Sequence, residues 1–125
     1  MKKAVIVVGT HYAGKSKTIR EHLKPKLGIA KNEHKFIRNG KAGFVLSQSL
    51  EEADRDVDYV KKKYVVYDLL VLSARPAYER PSCLNELKAK LQAAGYRVSE
   101  VLVDRTDEED YYDSKADEIL NRLDH

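Results

Sequence analysis

Gly9-Thr10-His11-Tyr12-Ala13-Gly14-Lys15-Ser16 is the stretch of this chain with the most chemical content, a G-x-x-x-x-G-K-S pattern. Its fixed positions suit a polyphosphate. Two glycines let the backbone turn tightly and come close to an anion, and the loop N–H groups together with the positive end of a following helix would hold it. A lysine at Lys15 would reach the β- and γ-phosphates, and a hydroxyl at Ser16 would ligate Mg²⁺. The segment expected to wrap the phosphates is Gly9, Thr10, His11, Tyr12, Ala13, Gly14, Lys15, Ser16 and Lys17. For this to work, a strand must deliver the loop and a helix must carry it away. Val5 to Val8 is a continuous apolar run, as in a strand covered on both faces. Ile19, Leu23 and Leu27 then fall on one helical face, with Pro25 and Gly28 predicting an end near Lys24.

Over Gly9 to Ser16 the chain resembles the P-loop (Walker A) NTPase superfamily, and beyond that stretch the likeness is one of fold, loosely kinase-like. The resemblance implies a three-layer α/β domain that binds Mg²⁺ with ATP or GTP. P-loop kinases of small molecules usually place glycine at the fourth loop position, where this chain has Tyr12. The family's second buried strand often ends in an acid that holds the Mg²⁺ water shell. Here that strand, Tyr67 to Ser73, ends in Ser73, while Asp68 lies at its other end, about 13 Å or more away at 3.3 Å per residue. Glu51, Glu52 and Asp54 are candidate substitutes, although capping and helix-dipole complementarity also explain them. In nucleotide kinases the loop before the last helix touches the base, which here points to Asp104, Arg105 and Thr106.

Other segments support this layout. Asn39-Gly40 between the apolar-rich runs of residues 34–48 predicts a β-hairpin with a type I′ turn. Its tip carries Arg38 and Lys41. They fit basic groups kept in water, a flap over bound phosphates, or an edge for a protein partner. Ser49 and Glu52 fit a capping box, opening a helix from about Leu50 to Lys63. Arg75 and Arg80 flank Pro76 and Pro81 past the second buried strand, where arginine can grip an anionic group bidentately or remain an exposed turn residue. Ser82 can cap a helix whose inward positions are Leu84, Leu87, Leu91 and Ala94, with Cys83 packed as a small apolar residue. Val98 to Val103 reads as a third strand, and Tyr112, Ala116, Ile119 and Leu123 as the inner face of a last helix.

Composition sets limits on this scheme. The 125 residues suit one domain, 1–125, with an apolar fraction of 42% and a charged fraction of 34%. No apolar run reaches the roughly 18 to 20 residues of a membrane span. The stretch after Met1-Lys2-Lys3 is too short for a secretory signal and Cys83 is alone, so a cytoplasmic setting is expected. Net charge is +3. Residues 1–50 hold 11 Lys or Arg against 2 acids, and residues 51–125 hold 12 against 18. A basic first half fits an anionic ligand, nucleic acid, or a solvated surface. No N-K-x-D or D-x-x-G stretch is present, which argues against a signalling GTPase.

The expectation is therefore an α/β three-layer sandwich with a mostly parallel central sheet of P-loop NTPase type and a hairpin insertion at about 34–48. Functionally it is an ATP-preferring P-loop protein, a small kinase-like phosphotransferase or slow NTPase. Lys15 and Arg75 or Arg80 would act on the transferred group, with Ser16 on the metal. The alternative is a non-catalytic nucleotide-binding module that presents its hairpin to a protein partner. Nucleic-acid binding is the weaker third option.

Overall fold

The computed structural model describes residues 2–10, 13–49, 51 and 57–125. His11, Tyr12, Glu52 and Asp54, named above, lie outside them, as does the predicted start of the second helix. In chain order the elements are β1 (Lys2–Val8), a helix α1 over residues 15–26, β2 (Lys35–Arg38), β3 (Lys41–Val45), α2 (Val57–Tyr64), β4 (Leu69–Ala74), α3 (Leu84–Ala93), β5 (Tyr96–Leu102) and α4 (Glu109–Asp124). The five strands form one sheet in the order β2-β3-β4-β1-β5. β3, β4, β1 and β5 run parallel, and β2 pairs antiparallel with β3 at the edge. This is an α/β architecture with a mixed, mostly parallel sheet.

The apolar runs explain why β1 and β4 are central. Both are buried along nearly their whole length, and their alternate side chains feed two cores. Ala4, Ile6, Val8, Leu70, Leu72 and Ala74 meet Val60 and Tyr64 of α2 and Leu84, Leu87 and Leu91 of α3. Val5, Val7, Leu69 and Val71 meet Ile19 and Leu23 of α1 and Tyr112, Ala116, Ile119 and Leu123 of α4 on the other face. The predicted inner stripe of α4 is therefore the buried one.

Two local features depart from expectation. α1 passes Pro25 instead of stopping at Lys24: it is α-helical over Lys15–Lys17, π-helical over Thr18–Leu23 and α-helical again over Lys24–Lys26. Proline in a regular helix strikes the carbonyl four residues back. Here the turn ahead of it is already widened, with the Lys24 N–H bonded to the Ile19 carbonyl five residues back, so the ring is accommodated.

The second departure concerns the hairpin. Its turn has positive φ at Asn39 (54°) and Gly40 (75°), as a type I′ turn needs. However, Gly43 pairs with Leu69 and Val8 with Ala74 in parallel strands. The tip therefore lies at the amino end of the sheet, about 25–30 Å along the strands from the loop after β1, at about 3.3 Å per residue. It cannot cover that loop. Arg38 instead grips Asp124 with two hydrogen bonds of 2.7 and 2.8 Å, and Asn39 adds a third at 3.2 Å.

Candidate phosphate-loop site

Three segments meet at the carboxyl end of the sheet. The Gly9 N–H reaches the Ala74 carbonyl of β4 at 3.3 Å, and the Val103 N–H reaches the Val8 carbonyl at 2.9 Å. The loop after β1 is thus flanked by the segments after β4 and β5, where open α/β sheets receive ligands.

Crowding explains both glycines of the motif. A Cβ on Gly9 would stand 2.7 Å from the Val103 carbonyl oxygen and 3.1 Å from Cγ of Lys15. Gly14 sits at φ 96° as the residue ahead of α1, and a Cβ there would lie 2.6 Å from the Tyr112 ring. The turn is closed by Ala13 N–H to Thr10 carbonyl at 2.9 Å, and the helix begins with Thr18 N–H to Gly14 carbonyl at 2.9 Å. Thr18 Oγ1 donates to the same carbonyl at 2.8 Å.

Lys15 is only 4% exposed, and its ammonium turns back into the loop. It donates to the Gly9 carbonyl at 2.5 Å and the Thr10 carbonyl at 3.0 Å. A buried ammonium costs free energy unless its donors are used, and here loop carbonyls use them. Ser16, one residue on, is exposed.

Tyr112 ties the last helix to this region. Its hydroxyl accepts from the Thr106 N–H and donates to the Thr106 carbonyl, both at 3.0 Å, while its ring fills the space beside Gly14. Tyr111 accepts from the Asp104 N–H at 2.8 Å. The segment 104–106 is therefore braced by two tyrosines, with Asp104 and Arg105 exposed. The apolar stripe of α4 included Tyr112, but nothing in its spacing linked it to Gly14.

The acids named as substitutes are otherwise occupied where they are described. Glu51 accepts from the Arg75 N–H at 3.1 and 3.2 Å and the Cys83 N–H at 2.9 Å. It thus caps the approach to α3 and pins the 75–83 segment. Ser73 Oγ points to the carbonyls of Leu46 and Ser47, each at 3.5 Å. Burial and the adjacent Glu51 push the Cys83 thiol up to about 12, so it packs rather than reacts. Arg75 is largely buried on the loop's side of the sheet. Its Nε has no hydrogen-bond partner among the described residues, and it forms an ion pair with Glu79 at 3.6 Å. Arg80 is exposed.

Charge asymmetry along the chain is partly settled internally. Glu109, Asp113 and Asp117, four residues apart on α4, face Lys17, His22 and Lys26 of α1. Lys17 pairs with Glu109, His22 Nε2 with Glu109 at 2.9 Å, and Lys26 with Asp113 and Asp117 at 3.2 and 3.1 Å. The hydrogen bond from Lys17, and next that from His22, holds the Glu109 carboxyl below its usual range, and those from Lys26 and His22 do the same for Asp113. Lys17 and His22 are five residues apart, which the π turn accommodates. Sequence inspection also missed Lys24, which is fully buried and donates to the Lys31 carbonyl at 2.7 Å. Burial, and next the Arg20 charge, lower its pKa.

Glu21, His22 and Glu109 bring ligand-type atoms within 4.8 Å of one another, but Glu109 is already bound by Lys17 and His22. Among the described residues no helix is long and apolar enough to cross a membrane. No protein family, curated protein or solved structure is matched by this chain.

Proposed function

We propose that the chain is an ATP-preferring nucleotide-binding P-loop protein, with the polyphosphate held by the loop that runs from Gly9 to Lys15. One observation carries this: both motif glycines are sterically required, and the Lys15 ammonium is turned into the loop that they shape. The two carbonyls it now engages hold it where an anion would take over its donors. The helix start at Lys15 adds oriented N–H groups.

The residues fit the phosphates better than they fit a catalytic metal. Mg²⁺ in such sites keeps several waters and takes one or two carboxylates with substrate phosphates. Ser16 supplies a hydroxyl, whereas Ser73 and Glu51 are turned to backbone groups. Mg²⁺, when bound, would neutralise charge on the phosphate oxygens. Arg75, whose buried Nε pairs with Glu79 but makes no hydrogen bond among the described residues, is the better candidate than Arg80 to reach a transferred group. Slow turnover, or binding without turnover, is in keeping with the absence of a positioned acid among the described residues. ATP over GTP rests on the absent guanine motif, and the cytoplasmic setting on the lone cysteine and the short apolar runs.

Titration calorimetry of Mg·ATP and Mg·GTP into the wild type and Lys15→Ala tests this. We expect ATP binding that weakens by at least about thirtyfold in the variant, about 2 kcal/mol for loss of a charged hydrogen-bond donor. Equal affinity in the two proteins, or none in the wild type, would end the proposal.

A further inference from the structure

We infer that a groove along the outer flank of α1 is a second anion site, suited to a phosphate monoester. Ser16, Lys17, Arg20, Glu21 and Lys31 line it, and it encloses about 350 Å³, within the range of small-ligand sites. It opens beside Ser16, so its placement next to a nucleotide rests on the phosphate-loop reading. Its own chemistry does not.

The argument begins with which cations of α1 are neutralised. Lys17 and Lys26 are paired with acids of α4, and the His22 ring is hydrogen-bonded to Glu109. Arg20 and Lys31 are exposed, and among the described residues neither has an ion-pair partner. Two uncompensated cations lining one concavity repel each other unless an anion lies between them. The lone acid of the groove, Glu21, has its carboxylate within 4.8 Å of ligand atoms of His22 and Glu109, so it leans toward the α4 side.

Their juxtaposition is also built. Ser16, Arg20 and Lys24 recur every four residues, on one flank of α1. Lys24 is buried, with its ammonium on the Lys31 carbonyl at 2.7 Å. Burying a whole lysine is costly, and this contact holds Lys31 against the helix in the groove that Arg20 also lines. Glu33 braces the same segment by accepting from the Ala30 N–H at 2.9 Å. Arginine supplies a planar fork of donors and lysine a point charge, a combination that suits a phosphate dianion.

The test is calorimetric titration of glycerol 3-phosphate, with glycerol as the uncharged control, into the protein with and without Mg·ADP. Wild type should bind the phosphate ester and not glycerol. Arg20→Gln/Lys31→Gln should weaken it about tenfold or more, the loss of charged hydrogen bonds from two side chains. Mg·ATP affinity should stay within about twofold of wild type, since neither residue belongs to the loop. Lys35→Gln/Lys41→Gln, which removes exposed or half-exposed cations elsewhere, should bind glycerol 3-phosphate as wild type does. The inference is overturned if wild type fails to bind the ester, if the Arg20/Lys31 variant retains its affinity, or if the Lys35/Lys41 variant loses as much. Absence of Mg·ADP binding would instead end the phosphate-loop proposal, and the titration without nucleotide would still decide the groove.

Discussion

At the residue level, Gly14 separates backbone strain from mere sequence pattern. An alanine there would take a left-handed conformation that costs about 1–2 kcal/mol and would also press a methyl into the Tyr112 ring. Gly14→Ala should lower stability by about 2 kcal/mol or more in urea unfolding. Near-wild-type stability would mean that the ring moves aside freely. Cys83 gives a chemical check on the neighbouring segment. With its thiol near 12, alkylation at pH 8 should be slow in the native protein and become fast only with denaturant. Rapid labelling of the native protein would contradict the hydrogen bonds of Glu51 to Arg75 and Cys83. Both glycines and Lys15 were legible in the chain because their spacing is local. The engagement of Glu51 was not, because its partners are 24 and 32 positions away.

At the level of elements, the hairpin and the end of α4 form a testable clasp. The hydrogen bonds from Arg38 first, and then its charge, hold the Asp124 carboxyl below the ordinary range, against the opposing effect of partial burial. A lowered folded value means that the charged form favours the native state. This stabilisation is complete above about pH 4 and disappears as pH falls through the lower folded value. Asp124→Asn should therefore cost about 1 kcal/mol near neutrality. Its deficit against wild type should shrink below about pH 4. A deficit that stays constant down to pH 2 would show that the effect is not the titration of this carboxyl. The turn itself could be read from Asn39-Gly40, and the strand from β-type residues around it. The direction of β3 could not, since parallel pairing with β4 depends on where the sheet has room. That is why a flap over the phosphates was compatible with the sequence and is excluded by the fold.

Across the whole molecule, both cores hang on the same central strands. Side chains of β1 and β4 alternate between α2 with α3 on one face and α1 with α4 on the other. Neither face can lose its helices without exposing the strands that support the other. Leu87→Ala and Ile119→Ala, one from each core, should each cost about 2–5 kcal/mol. Unfolding followed by circular dichroism and tyrosine fluorescence should remain a single coincident transition in both variants. Two separated transitions would mean that the faces fold independently. The layered arrangement was evident in advance from the solid apolar runs of β1 and β4 and the stripe of α4. The ion pairs of α1 with α4 were not, because they depend on a helix whose pitch changes midway.

That change of pitch makes α1 sensitive to length as well as to composition. Consecutive residues on an α-helix are about 100° apart in rotation. A π turn holds about one residue more than an α turn, so deleting one residue between Thr18 and Leu23 would let the helix relax to regular winding with Lys15 and Ser16 still nearly in phase with Lys24 and Lys26. Inserting a further residue there would instead turn the loop after β1 by about 100° from the Lys24 contact on Lys31, so a single added codon should do more harm than a single missing one.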